Sequence, residues 1–372
     1  MRLCKHPLLA FAMVITPLAL MPSALAAKDN PLELVKNLEG FGLIAVAVTP
    51  EGRIFASAPA ATSGNHVIEI DPATGAIRPY PDALWQATGE VPHWFAPQAL
   101  WIDEQGTLWV LDSGRPTLPT SAPTGPAKLV AFDLATNTIT HSYTFEGAVS
   151  DEDSLNDLRV DHARGYVYLT NINRQGSLVV MNLKTGKARQ VLVGDRSTHA
   201  DPAEHLRLGD QIGLLRSGKP PLVHADGIAM SPDGRWLIYR TLTDHNYWRV
   251  PIDALVDEKL SAAQLAQRVQ FLGKGPITGG IIAAPDGTLY GGDLEHGGVV
   301  AMHPDLKAGT LQARTLPQSA AIAWGDGFSI AGGYLYVADA RLSEKVFANS
   351  LPKRGPVAIY RIRLKGSPKA GH

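Results

Sequence analysis

Short apolar runs recur in pairs along this chain, each pair joined by a polar turn that closes on glycine. The first three pairs are "LIAVAVTPEGRIFASA" (43–58), "ALWIDEQGTLWVLD" (99–112) and "LRVDHARGYVYLTN" (158–171). The pattern returns as "IAMSPDGRWLIYR" (228–240), "IIAAPDGTLYGGD" (281–293) and "FSIAGGYLYVAD" (328–339). The turn glycines, Gly52, Gly106, Gly165, Gly234, Gly287 and Gly333, are 54, 59, 69, 53 and 46 residues apart. Runs this short, rich in Val, Ile, Leu and aromatics and punctuated by Pro-Asp-Gly or Pro-Glu-Gly, predict hairpins of β-strands. A third strand follows each pair and usually a fourth, as in "HVIEIDPATGAIRPY" (66–80), "KLVAFDLATNTITHSY" (128–143) and "SLVVMNLKTGKARQV" (177–191).

Four antiparallel strands repeated six times predict an all-β fold, a six-bladed β-propeller, in which radial repetition hides most sheet edges. The last copy ends at "PVAIYRIRLKG" (356–366) with no fourth strand, and "PLELVKNLE" (31–39) is a strand without a blade. The N-terminal strand is therefore expected to complete the last blade and close the ring. Two stretches break the repeat. Residues 253–269 read as helical, with Ser261 and Gln264 at capping-box spacing. Residues 194–223 form a long insertion before the fourth inner strand, of the kind that serves as a lid, binding loop or flap.

Composition narrows the class. The net charge of -1 with 19% charged residues gives no electrostatic case for nucleic acid or an anionic membrane. Arg2 and Lys5, the apolar run Leu8–Leu20 and the small residues at 23–27 predict a cleaved signal peptide over 1–26, leaving one propeller domain over 27–372. The expected location is periplasmic or secreted, with no membrane association after cleavage. The single cysteine, Cys4, lies in that leader, so the exported chain is expected to lack disulfides and thiolate chemistry.

Turn length separates the two faces. Links between strands one and two, or three and four, are short and stereotyped. Links between strands two and three, and between blades, are long and varied, as functional loops are. Inner strands enter from that second face. Counting eight residues back from each turn glycine gives Ile44, Gln98, Asp157, Asp226, Gly279 and Gly325, with Asp326 one place on. Asn156, His224 and Trp324 flank these positions, and Glu295-His296 and Asp244-His245-Asn246 lie on loops of the same face. Converging carboxylates and an amide oxygen suit a small polar or aromatic ligand or a hard divalent cation such as calcium. Clustered carboxyls also raise one another's pKa and can supply a general base. An aspartate at a strand start can equally well be structural, holding backbone N–H groups. Nucleophile-elbow, H-E-x-x-H, P-loop and dinucleotide motifs are all missing from the sequence.

Taken together, "IEIDPATGAIRPYPD", "LWIDEQGTLWVLDSGRP", "LNDLRVDHARGYVYLTN", "ADGIAMSPDGRWLIYRTLT" and "LYGGDLEHGGVV" resemble the major royal jelly protein/Yellow family in its bacterial branch. That resemblance implies a six-bladed propeller, export and a ligand site at the channel mouth, in a family whose members are linked to dopachrome conversion, amine binding or nutrition. A more distant similarity is to regucalcin/gluconolactonase propellers, which hold a divalent metal through a glutamate, an asparagine and an aspartate. It implies Asn156 and Asp226 as metal ligands, while the first inner strand has no acid in register and Glu39 is out of phase. A binding propeller, a metal-assisted lactone hydrolase or dopachrome-type isomerase, and a protein-interaction scaffold remain the alternatives.

Overall fold

The computed structural model describes residues 31–60, 63–87, 89, 92–115, 123–349 and 355–364. The expected leader, its cleavage site and Cys4 lie outside the described residues. The fold is a propeller-like arrangement of four-stranded antiparallel sheets. Four sheets stand alone, and a fifth of eight strands consists of two such four-stranded runs joined by one parallel pairing, Lys274 with Thr310. The six resulting units coincide with the six sequence repeats.

Each unit runs outward from an inner strand. These inner strands are Ala45–Val48, Pro97–Ile102, Leu155–Asp161, Ala225–Met230, Thr278–Ala283 and Gly325–Ala331. Each contacts the next, and the last contacts the first. Their apolar residues are almost wholly buried, because each sheet packs one face on either neighbour. Phe55, Leu108, Tyr168, Leu237 and Leu335 of the second strands are sealed from solvent. As expected, Leu32–Asn37 pairs antiparallel with Ala358–Arg363, from Leu32 opposite Ile362 to Asn37 opposite Ala358. Glu33 and Arg361 form an ion pair across that junction at 2.6 Å. The chain's first described strand thus covers what would otherwise be an open edge.

The helical stretch is two short helices, Ile252–Val256 and Ala262–Ala266, and the second carries the expected reciprocal cap between Ser261 and Gln264. Among the described residues no helix is long and apolar enough to cross a membrane.

Candidate functional site

Five of the six inner strands contain one extra residue, always at the same level. The pairing with the second strand slips between Pro97 and Ala99, Leu155 and Leu158, Ala225 and Ile228, Thr278 and Ile281, and Gly325 and Phe328. Such a bulge frees a residue from the ladder and re-aims its side chain. Here the freed residues are Gln98, Asn156-Asp157, Asp226-Gly227, Gly279-Gly280 and Asp326-Gly327. The first strand pairs without a slip and has the apolar Ile44 at this level. The polar ring around the channel is therefore built by a repeated bulge.

Two cavities share this ring. The outer one is lined by Gln98, Asn156, Asp226, Trp324 and Asp326, beneath an apolar roof. The deeper one again includes Gln98, Asn156 and Asp326, and adds Asp157 and Arg159. Gln98 Nε2 donates to Asn156 Oδ1 at 3.0 Å, and Trp324 Nε1 donates to Asp326 Oδ2 at 3.1 Å. In the deeper cavity Arg159 pairs with Asp157 at 3.0 Å, donates to Ile281 O at 2.7 Å and lies over Trp101. Its guanidinium thereby links units three and five across the channel.

Asp226 differs from all of these. It is 5% exposed, yet among the described residues its carboxylate makes no hydrogen bond or ion pair. Burial, then the charges of Asp326 and Asp157, hold its pKa well above the carboxylate range against the pull of Arg240. Asp326 is pushed up to about 7, by burial first and by Asp157, with the Trp324 hydrogen bond opposing. Asp157 is also raised by burial, despite Arg159. Arg240, fully buried, donates to the carbonyls of Thr278 and Asp244, so its charge is held at a fixed place behind Asp226.

The structural task considered for Asp226 is carried out elsewhere. Asp112, at the end of a second strand, accepts from the backbone N–H groups of Phe95 (2.8 Å) and Ala96 (2.7 Å). Asn171 does the same for Ser154 at 3.0 Å, and Asp339 for Ala323 and Trp324 at 3.1 and 2.8 Å. These residues fasten the approach to the second, third and sixth inner strands; of the ring carboxylates, Asp157 also accepts a backbone N–H, from Leu158 at 2.7 Å, whereas among the described residues Asp226 and Asp326 accept none.

Of the residues expected at the mouth, Asn156, Asp226, Trp324 and Asp326 come together in the outer cavity, and Asp157 lies one level deeper. His224 does not line either cavity. It stacks on His199 at 4.2 Å, its Nδ1 accepts from Ala200 N at 3.1 Å, and burial with the nearby His199 lowers its pKa to about 4. Glu295 and His245 belong to a separate clasp, and His296 is a solvent-exposed side chain against Asp293. In that clasp His245 lies between Glu204 (2.7 Å) and Glu295 (3.3 Å), and Lys274 also binds Glu204 at 2.6 Å.

The roof of the outer cavity could not be read from the inner-strand register. Leu206, Pro221 and Val223 come from the insertion, and Leu342, Val346 and Phe347 from the segment after the last second strand. The only signal for them is that apolar side chains interrupt otherwise polar loops.

A calcium-type cation needs six to eight oxygens. Here Asn156 Oδ1 accepts from Gln98, Asp157 Oδ1 is held by Arg159, one Asp326 oxygen accepts from Trp324, and Ile44 fills the first strand's place. No group of three or more His, Cys, Asp or Glu among the described residues could hold a metal ion. The expected pair of Asn156 and Asp226 thus lacks the further ligands such an ion requires, and these residues do not fit one.

Fold and mouth together define a propeller with a polar, acid-bearing channel entrance beneath an apolar cap. The chain belongs to the family described as Major royal jelly protein, whose profile matches residues 96–355. No curated protein sequence matches it. Among solved structures it is similar to a luciferin-regenerating enzyme at 12% identity, with TM-score 0.56 and coverage of 92% of this chain and 97% of that one. It is also similar to the calcium-binding protein regucalcin from Agrobacterium tumefaciens (13% identity, TM-score 0.51, 91% and 97% covered). A gluconolactonase from Xanthomonas campestris matches at 13% identity, with TM-score 0.51 and 91% and 96% covered. At these identities the likeness concerns the fold.

Proposed function

We propose that the chain is an exported six-bladed propeller that binds a small ligand at its channel mouth, the ligand having hydrogen-bond donors at one end and an apolar or aromatic body at the other. The blade count takes the eight-stranded sheet as two blades, each matching one sequence repeat. Export is inferred from the leader-like residues 1–26. The observation that carries the ligand reading is the unpartnered Asp226 carboxylate, 5% exposed, at a cavity it shares with Asp326, Asn156 and Gln98. A buried carboxyl left without a partner is costly unless something else satisfies it. Trp324 and Phe347 supply the apolar side of the same cavity, and ligand sites combine an apolar wall with a few convergent polar groups in this way. The test is a thermal-shift screen of amines, catechols and lactones against the wild type and Asp226→Asn. A compound that stabilises the wild type and not the variant supports the reading; a panel with no such compound refutes it.

A second reading rests on the two carboxyls with displaced pKa values in one cleft, a pattern suited to proton transfer. The chain would then be a metal-independent isomerase or lactone hydrolase, with Asp326 and Asp226 exchanging a proton with the substrate. Turnover of a catechol-derived quinone or a lactone, lost in Asp326→Asn with binding retained, would favour this reading over simple binding.

A further inference from the structure

The outer cavity has about 30 Å³ open to the centre of a water molecule, room for about two waters. Small organic ligands occupy sites of roughly 300–1,000 Å³. The mouth as it stands is therefore shut to the ligand class argued above.

What shuts it is the insertion. Its two ends are rooted in the body: Ala225 N donates to Thr198 O at 2.9 Å, Ala200 N to His224, and Leu242 N to Val223 O at 3.1 Å. Between those roots the chain crosses the channel face as a two-residue hairpin, Arg207–Leu208 with Gln211–Ile212. It touches the body through two groups of contacts. One is the clasp: Glu204 with His245 and Lys274, Arg207 N with Glu295 Oε1 at 2.9 Å, and Asp201 N with Asp244 Oδ2 at 2.9 Å. The other joins the segment after the sixth unit's second strand. Leu215 forms an isolated bridge with Phe347, Ala348 N donates to Leu214 O at 2.7 Å, and the Asn349 side chain accepts from Leu214 N and donates to Ile212 O, both at 2.9 Å. Beneath the junction, Leu206, Val223 and Phe347 are 1%, 3% and 4% exposed and cover Trp324.

We propose that residues 201–222 are a lid that admits ligand to the Asp226 cavity by releasing residues 347–349, while its ends and the His245 clasp hold it to the body. As a gate for a ligand, this rests on the binding reading above; as a movement of the chain, it does not. The junction is the natural point of release. It consists of four hydrogen bonds, one isolated bridge and the packing of Phe347 against the lid, and loops held by few contacts open locally. The clasp, by contrast, combines ion pairs with backbone hydrogen bonds on two neighbouring units.

The chain's single cysteine allows a test that needs no ligand. With Cys4→Ser as parent, Val223→Cys places one thiol under the lid, and Val130→Cys places one in the core of the second unit as a control for global unfolding. The expected result is slow modification of both by a small thiol reagent. Adding Asn349→Ala should make the Val223→Cys thiol react at least about tenfold faster and leave Val130→Cys unchanged. Equal acceleration at both sites, no acceleration at Val223→Cys, or a Val223→Cys thiol that already reacts like a free one would each overturn the lid. In the Cys4→Ser parent, a Leu214→Cys/Ala348→Cys pair spans the same junction, where Ala348 N donates to Leu214 O, at positions within disulfide reach and outside the cavity wall. Oxidation should abolish the thermal-shift response to any compound that stabilises the parent, and reduction should restore it. Undiminished binding by the oxidised form overturns the gate. If no compound binds the parent, the function proposal fails and the labelling comparison still decides the lid.

Discussion

Asp326→Asn should change how stability depends on pH, in a direction the geometry fixes. Asp326 has an ordinary pKa of 3.8 in the unfolded chain and is pushed up to about 7 in the fold. Between those values the folded state holds a proton that the unfolded state has lost, so its contribution to stability falls as pH rises. The gap of about 3 pH units, at about 1.4 kcal/mol each, sets a ceiling of about 4 kcal/mol above pH 7. Asp326 is half-buried, and solvent screening of such a group lowers the expected contribution to about 2 kcal/mol. Asparagine keeps the shape, and its side-chain oxygen can still accept from Trp324 Nε1. At pH 4 the variant and the wild type should then match within about 0.5 kcal/mol. At pH 8 the variant should be the more stable by about 2 kcal/mol, and easier ionisation of Asp226 once its neighbour's charge is gone adds to that. His224 acts in the opposite sense, because its pKa is lowered to about 4 and it contributes stability that is lost as pH falls from 6.5. The measurement is therefore the difference between the two proteins' urea-unfolding free energies at pH 4, 5, 6, 7 and 8, in which the His224 contribution cancels. A flat difference curve, or a variant less stable than wild type at pH 8, would refute the placement of a strained carboxyl at this mouth.

Gly327→Ala should destabilise by roughly 1–3 kcal/mol in urea unfolding, because a Cβ there would sit 2.5 Å from Ala45 Cα and 2.8 Å from Val46 N, backbone that has nowhere to go. Wild-type stability in this variant would mean that the inner strands do not crowd as described. His224→Ala should cost about 1–3 kcal/mol through the lost acceptor for Ala200 N and leave ligand affinity unchanged; a stable variant with weakened binding would return His224 to the site. Deleting residues 31–38 should remove at least about 3 kcal/mol, since Leu38 is 2% exposed and the strand covers an open edge; an unchanged melting temperature would show that the junction does not hold the ring.

The fold was legible because it is written six times over. A period-two pattern with a glycine turn survives variation in any one copy, and even the displaced N-terminal strand could be inferred by elimination. The positions that ring the candidate site were legible to within one residue, and the reason is the bulge. Counting back from the turn glycines assumes an unbroken ladder, so it selected Asp157 in the third unit, whereas the extra residue brings Asn156 into the outer cavity and sets Asp157 beside Arg159 below. His224 was misplaced for a related reason. Residues two apart share a face only in a regular strand, and this strand begins at Ala225 with its irregularity immediately after. The roof left only the faint signal of apolar side chains in polar loops, and nothing in the sequence pairs its parts, because they are far apart: Leu214 meets Asn349 at a separation of 135 residues.

Gly279 shows how a gap in a sequence pattern can have a packing cause. Among polar neighbours in register it reads as a lost ligand. In the fold, a Cβ at Gly279 would lie 2.8 Å from Gly325 O, so the fifth strand can approach the sixth only without a side chain there. Six strands converging on one axis cannot all carry polar groups inward at the same level. The first contributes Ile44 and the fifth contributes nothing, and the acids that remain come from the third, fourth and sixth. With Asp157 drawn to Arg159 below, only Asp226 and Asp326 face the outer cavity, and one of them is already engaged by Trp324. The crowding that shapes the ring therefore leaves Asp226 as the ring carboxylate with no partner among the described residues, which is why the binding proposal depends on that residue more than on any other.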